Sequence, residues 1–110
     1  AEAHKGGRVR AVHAPGDLMG EARAIASEIA QNTSAVSVAM TRAMMWRLMS
    51  ADHPMEAHKI DSRAIYRLSR GSDAKEGIAS FLEKREPEYP GKVSEDMPDF
   101  YPWWEERAYR

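Results

Sequence analysis

Four histidines, 17 acidic side chains and a Lys84-Arg85 pair are the groups in this 110-residue sequence that could move protons, hold a metal or bind an anion. His53 and His58 are five positions apart, so they do not share a helix face as a zinc pair four apart would. Together with His4 and His13 they read as solvent-exposed or capping groups, and no metal site is expected. The chain has no cysteine, which excludes disulfides, thiolate ligands and a cysteine nucleophile. No Gly-x-Ser-x-Gly elbow is present, and Gly6-Gly7 opens neither a P-loop nor a dinucleotide fingerprint. General acid–base catalysis needs a closed, pKa-shifting pocket, and the prominent carboxylates instead take helix-surface or capping positions. No catalytic residue is therefore assigned. Met40, Met44, Met45 and Met49 could form an adaptable binding face, although core or subunit packing accounts for them more simply.

The composition bounds the rest. Hydrophobic residues make up 43% and charged residues 30%, as in ordinary globular domains. With 16 basic and 17 acidic residues the net charge is -1. A nucleic-acid partner, which needs clustered Lys and Arg, is not expected. No apolar run approaches the ~20 residues of a membrane span, and no signal-peptide pattern is seen. A soluble, cytoplasmic protein is expected, and the start at Ala1 fits either removal of an initiator Met or, at least as well, a piece of a longer chain.

The periodicity predicts a mainly α fold of about four helices. Residues 1–14 form a short extended segment, 15–86 a helical domain, and 87–110 an irregular, aromatic-rich C-terminal arm. Arg8 to His13 reads as a strand or extended stretch. Asp17 caps a first helix to about Asn32, with Leu18, Ala22, Ile25 and Ile29 on one buried stripe. Ser34 caps a second helix to about Ser50, so apolar around its circumference that it calls for burial on several sides. A chain this size cannot easily enclose it, so a neighbouring domain or subunit is expected. Asp52-His53-Pro54 starts a third helix, to about Ser69, with Ala57, Ile60, Ala64 and Leu68 on its inner face. Asp73 and Glu76 are spaced as a capping box for a fourth, to about Arg85, with Ala74, Ile78, Phe81 and Leu82 as its apolar stripe. Gly77 inside that helix points to a close approach by another backbone or a ligand. Pro87, Pro90, Pro98 and Pro102 forbid a long helix in the arm, yet Tyr89, Phe100, Tyr101, Trp103, Trp104 and Tyr109 are too aromatic for a disordered tail. The arm is expected to dock on a surface, with a short helical turn near Trp103 to Arg107.

The stretch Asp73-Ala74-Lys75-Glu76-Gly77-Ile78-Ala79-Ser80-Phe81-Leu82-Glu83-Lys84-Arg85-Glu86-Pro87 resembles the C-terminal signature of the crotonase superfamily, the enoyl-CoA hydratase/isomerase family. Gly7-Arg8-Val9, the Pro-Gly-Asp-Leu turn at residues 15–18 and Asn32-Thr33-Ser34-Ala35-Val36 follow in the family's order, so the resemblance covers roughly residues 6 to 90. It departs from the pattern at Arg8 (usually Leu), Arg42 (often Lys), Ser80 (usually Ala) and in the arm from Val93 onward, which is longer than the common ending.

The resemblance implies a C-terminal helical, trimerising region that covers an acyl-CoA site and assembles into trimers or hexamers. Its upstream spiral domain would supply the oxyanion hole and the catalytic acid. By the same resemblance, Phe81 lines the CoA or acyl site and Lys84 approaches the CoA phosphates. An acyl-CoA thioester is the implied substrate, with no metal. The whole enzyme would hydrate 2-enoyl-CoA, and the present chain alone would be inactive. The rival reading is a free-standing helical protein-interaction module using the Met-rich helix and the arm; a small DNA-binding protein is disfavoured by the balanced charge.

Overall fold

A computed structural model describes residues 2–109 of the chain. Five helices follow one another: α1 (Glu2–Lys5), α2 (Leu18–Asn32), α3 (Ala35–Arg47), α4 (Pro54–Leu68) and α5 (Ser72–Glu83). No strand forms among the described residues. The chain divides into two compact units, Ala1–Gln31 and Asn32–Arg110.

In the first unit, α1 is an addition to the expected elements, and residues 11–14 after it are irregular. The Asp17 carbonyl accepts from the Glu21 N–H at 3.0 Å, as an N-cap carbonyl does. The buried stripe expected on α2 is not found: none of its residues is buried, and Leu18, Met19 and Ile29 are exposed.

In the second unit the caps explain the helix starts. The Ser34 hydroxyl accepts from the Ser37 N–H at 3.2 Å, satisfying one of the orphan donors at the start of α3. His53 Nδ1 accepts from the Met55 N–H at 3.0 Å, and Pro54 occupies the first turn of α4. His53 is thus a capping group. Val36 and Met40 of α3, four apart and so on one face, are buried with Ala64 of α4. Ser34, Ser80 of α5 and Pro98 of the arm are buried as well.

The capping box does not form. Helix α5 begins two residues early, after Gly71, with no side-chain cap, so Asp73 lies inside the first turn. Its carboxylate instead accepts from the Ser34 hydroxyl and, at 2.8 Å, from the Gly91 N–H. One aspartate thereby ties the start of α3, the start of α5 and the arm. The apolar stripe of α5 is not its buried face either: Ile78, Phe81 and Leu82 are exposed while Ser80 is buried. The inward face carries Asp73, Gly77 and Ser80, spaced at i, i+4 and i+7. The neighbour at Gly77 is neither a backbone nor a ligand but a side chain, the Tyr89 ring, whose hydroxyl lies 3.4 Å from where a Cβ would stand.

The arm docks on its own chain without a helical turn at residues 103–107. The Arg63 guanidinium lies 4.3 Å over the Phe100 ring and Arg47 lies 4.4 Å over Trp104. Arg47 also pairs with Glu106. Tyr101, Trp103 and Trp104 pack edge to face with centroids 4.8 to 6.2 Å apart, the arrangement that ring quadrupoles favour.

A Cβ at Gly91 would sit 2.9 Å from the Asp73 carboxyl carbon. Gly91→Ala should therefore cost roughly 1–3 kcal/mol of overpacking and displaced hydrogen bonding, seen as a lower midpoint in urea unfolding. An unchanged midpoint would show that Asp73 does not hold the arm.

Candidate functional site

The two residues that could meet an anionic, partly apolar ligand are at the end of α5. Phe81 is 71% exposed. The Lys84 ammonium lies 4.3 Å from the centre of its ring, a cation–π contact across one helical turn. The structure therefore brings Phe81 and Lys84 together into one exposed unit with a flat apolar face and a positive tip. A compact, strongly hydrated point charge of this kind suits a phosphate.

Backbone geometry sets where that unit sits. Lys84 adopts φ 57°, ψ 39°, the left-handed region that glycine favours at helix C-termini. The amides of Lys84 and Arg85 both donate to the Ser80 carbonyl, the latter at 3.1 Å. Holding a lysine there costs about 1–2 kcal/mol, and such strain persists only where its surroundings impose it.

Arg85 takes a separate role. Its guanidinium donates twice to the Glu76 carboxylate, at 2.6 and 2.9 Å, through Nε to Glu83 at 2.6 Å, and to the Glu86 carbonyl at 3.1 Å. These bonds commit its donors within the chain, so the Lys84-Arg85 pair is one structural cation and one available cation. Glu76 also accepts from the Glu88 N–H at 2.7 Å. Its bond with Arg85, followed by that from Glu88, lowers the Glu76 pKa to about 2. Glu106 is likewise lowered, first by the Trp104 indole N–H and then by Arg47. Both carboxyl groups are held as anions, the opposite of what a proton donor near neutral pH needs.

A cavity of about 670 Å³ lies elsewhere in the second unit, lined by residues such as Met40, Met44, Leu68, Asp73, Gly77 and Tyr89. Neither Phe81 nor Lys84 lines it; it follows the inward face of α5, where the arm packs. Among the described residues no group of three or more His, Asp or Glu is placed to hold a metal ion. Among the described residues no helix is long and apolar enough to cross a membrane. The sequence reading did not anticipate the tethering roles of Asp73 and Glu76. The only signal was a Pro- and Gly-rich segment directly after the helix, which leaves amides that need acceptors.

The model of the enoyl-CoA hydratase/isomerase family matches residues 1–92. The chain belongs to the enoyl-CoA hydratase/isomerase family. Enoyl-CoA hydratases AFT3-1 and AKT3-2 of Alternaria alternata are 37% and 36% identical over 84 residues, which is 76% of this chain. The chain spans only 28% of the length of each. A probable enoyl-CoA hydratase/isomerase from Mycobacterium abscessus superposes with a TM-score of 0.75 at 27% identity, covering 83% of this chain and 36% of that one. The helical arrangement is thus one found in that fold. The matched region stops at residue 92, so most of the arm lies beyond the family pattern.

Two outcomes follow. Lys84→Gly should be more stable than Lys84→Ala by about 1 kcal/mol, because only alanine keeps the left-handed penalty; equal melting temperatures would show that no strain resides there. Because folding lowers the Glu76 pKa from 4.5 to about 2, the contribution of the Glu76–Arg85 pair is present above pH 4.5 and is lost as pH falls towards about 2. The Glu76 carboxyl carbon, followed by NMR, should titrate near that lower value, whereas a midpoint near 4.5 would mean that the pair is open in solution.

Proposed function

We propose that this chain serves as the C-terminal helical part of an enoyl-CoA hydratase-like enzyme, covering the acyl-CoA site and joining copies into a trimer or hexamer. The observation that carries this reading is the exposure of large apolar side chains on two helices: Met45 and Trp46 of α3 are 69% and 66% exposed, and Phe81 and Leu82 of α5 are 71% and 70% exposed. Apolar side chains of this size left in water are candidates for burial against another surface. The family's relatives are named for enoyl-CoA hydration, and the proposed reaction of the whole protein is addition of water across a 2-enoyl-CoA double bond.

In this reading Phe81 packs against the CoA or acyl portion and Lys84 neutralises a CoA phosphate. The reacting centre belongs to an N-terminal spiral domain, whose backbone N–H groups would stabilise the enolate oxygen where negative charge develops and whose acidic side chain would move the proton. Glu76 and Glu106, held as anions by their partners, do not take that part. The rival, a free-standing interaction module, needs the aromatic arm as a binding surface. Trp104 and Phe100 are already engaged by Arg47 and Arg63, which reduces the aromatic surface that the arm offers to that reading.

Lys84→Ala in a chain of the family's full length should weaken CoA binding about tenfold, the worth of a charge-assisted hydrogen bond, measured by titration calorimetry. Unchanged affinity would remove Lys84 from the site. The purified 110-residue chain should show no hydration of crotonyl-CoA, and measurable turnover would overturn the division of labour.

A further inference from the structure

Resting on the reading of Lys84 as the phosphate-binding group, we infer that Glu76 and Arg85 act as positioning residues, a clamp that holds Lys84 in its left-handed turn and so aims its ammonium. Lys84 is the non-glycine residue found at positive φ among the described residues. The residue after it is the one most firmly tied down: the Arg85 guanidinium is bidentate to Glu76, nine positions earlier in the chain, and is bonded to Glu83 as well. To reach back along α5 in this way, the chain must reverse between Glu83 and Arg85, and the left-handed conformation of Lys84 makes that reversal. The Glu88 amide, bound to the same Glu76 oxygen as the guanidinium, keeps the outgoing chain on the helix. Ser80 closes the turn by accepting both following amides.

The result is a division between neighbours of like charge. Arg85 spends its donors on the clamp, while the described contact of the Lys84 ammonium is the Phe81 ring. A bidentate guanidinium–carboxylate pair fixes orientation as well as position, which a lysine at residue 85 could not do. With the turn fixed, the Lys84 stem leaves the helix in one direction, over Phe81, and less freedom is lost when a phosphate is bound. If the clamp opens, Lys84 can leave the left-handed region, and the ammonium is no longer held above the ring.

The test is a double-mutant cycle on the full-length protein, with CoA as the probe and titration calorimetry as the readout. Lys84→Ala should weaken binding about tenfold. Glu76→Gln, which keeps shape but removes charge, should weaken it about threefold, the cost of ordering one flexible side chain. The combined variant should bind no more weakly than Lys84→Ala alone. A Glu76→Gln effect that persists undiminished without Lys84 would mean a general disturbance of the fold and would overturn the inference. So would a Glu76→Gln protein that binds like the wild type while Lys84→Ala is impaired, an outcome that leaves Lys84 at the phosphate. An unaffected Lys84→Ala protein would instead defeat the underlying reading. Should Glu76→Gln not fold, Arg85→Lys, which retains the charge but not the two-point bond, enters the cycle in its place with the same outcomes. In either variant, NMR of Lys84 should show loss of the left-handed φ; retention of that φ would also overturn the inference.

Discussion

Two carboxylates in the first turns of α5 organise what precedes and follows that helix. Asp73 reaches the cap of α3 and the amide of Gly91, and Glu76 reaches Arg85 and the amide of Glu88. Each accepts more than one donor, so each joins segments that are separate in sequence. The apolar interior is small, with Val36, Met40 and Ala64 buried, so these polar ties carry an unusual share of the task of fixing where the chain goes after α5.

That arrangement accounts for the division of α5 into two faces. Small and polar residues face the arm, because Gly77 admits the Tyr89 ring and Ser80 fits a closely packed interior. The large apolar residues Ile78, Phe81 and Leu82 face outward. In a self-contained domain this polarity would be inverted, since apolar stripes normally face the core. In the proposed assembly it is consistent, with the outer stripe and the exposed end of α3 meeting other surfaces and Lys84 standing at the edge where an acyl-CoA could pass.

Much of the architecture was legible from local chemistry. Ser34 and His53-Pro54 announced the starts of α3 and α4 because capping is short-range, and Ala57, Ile60, Ala64 and Leu68 gave the inner face of α4 because a period of 3.6 is unambiguous over fifteen residues. The family signature from Asp73 to Pro87 gave the membership that the comparisons then showed. Asp73 and Glu76 misled for a physical reason: a carboxylate one turn into a helix can satisfy the amides of its own helix or those of a segment far along the chain. Sequence spacing describes only the first choice. The stripes of α2 and α5 were read correctly as apolar but not as lying outside the buried interior, because periodicity identifies a face and not its neighbour. The seats of the arm's aromatic rings, Arg47 and Arg63, were invisible for a similar reason, since cation–π partners carry no fixed spacing.

The central claim is that the apolar surface of α3 and α5 exists to meet other copies. Sedimentation equilibrium of the 110-residue chain at micromolar concentrations tests it most directly. The account predicts the mass of three chains, or a multiple of it, with Trp46 fluorescence shifting to shorter wavelength on association. A single-chain mass across the concentration range, with Trp46 still open to water, would contradict it.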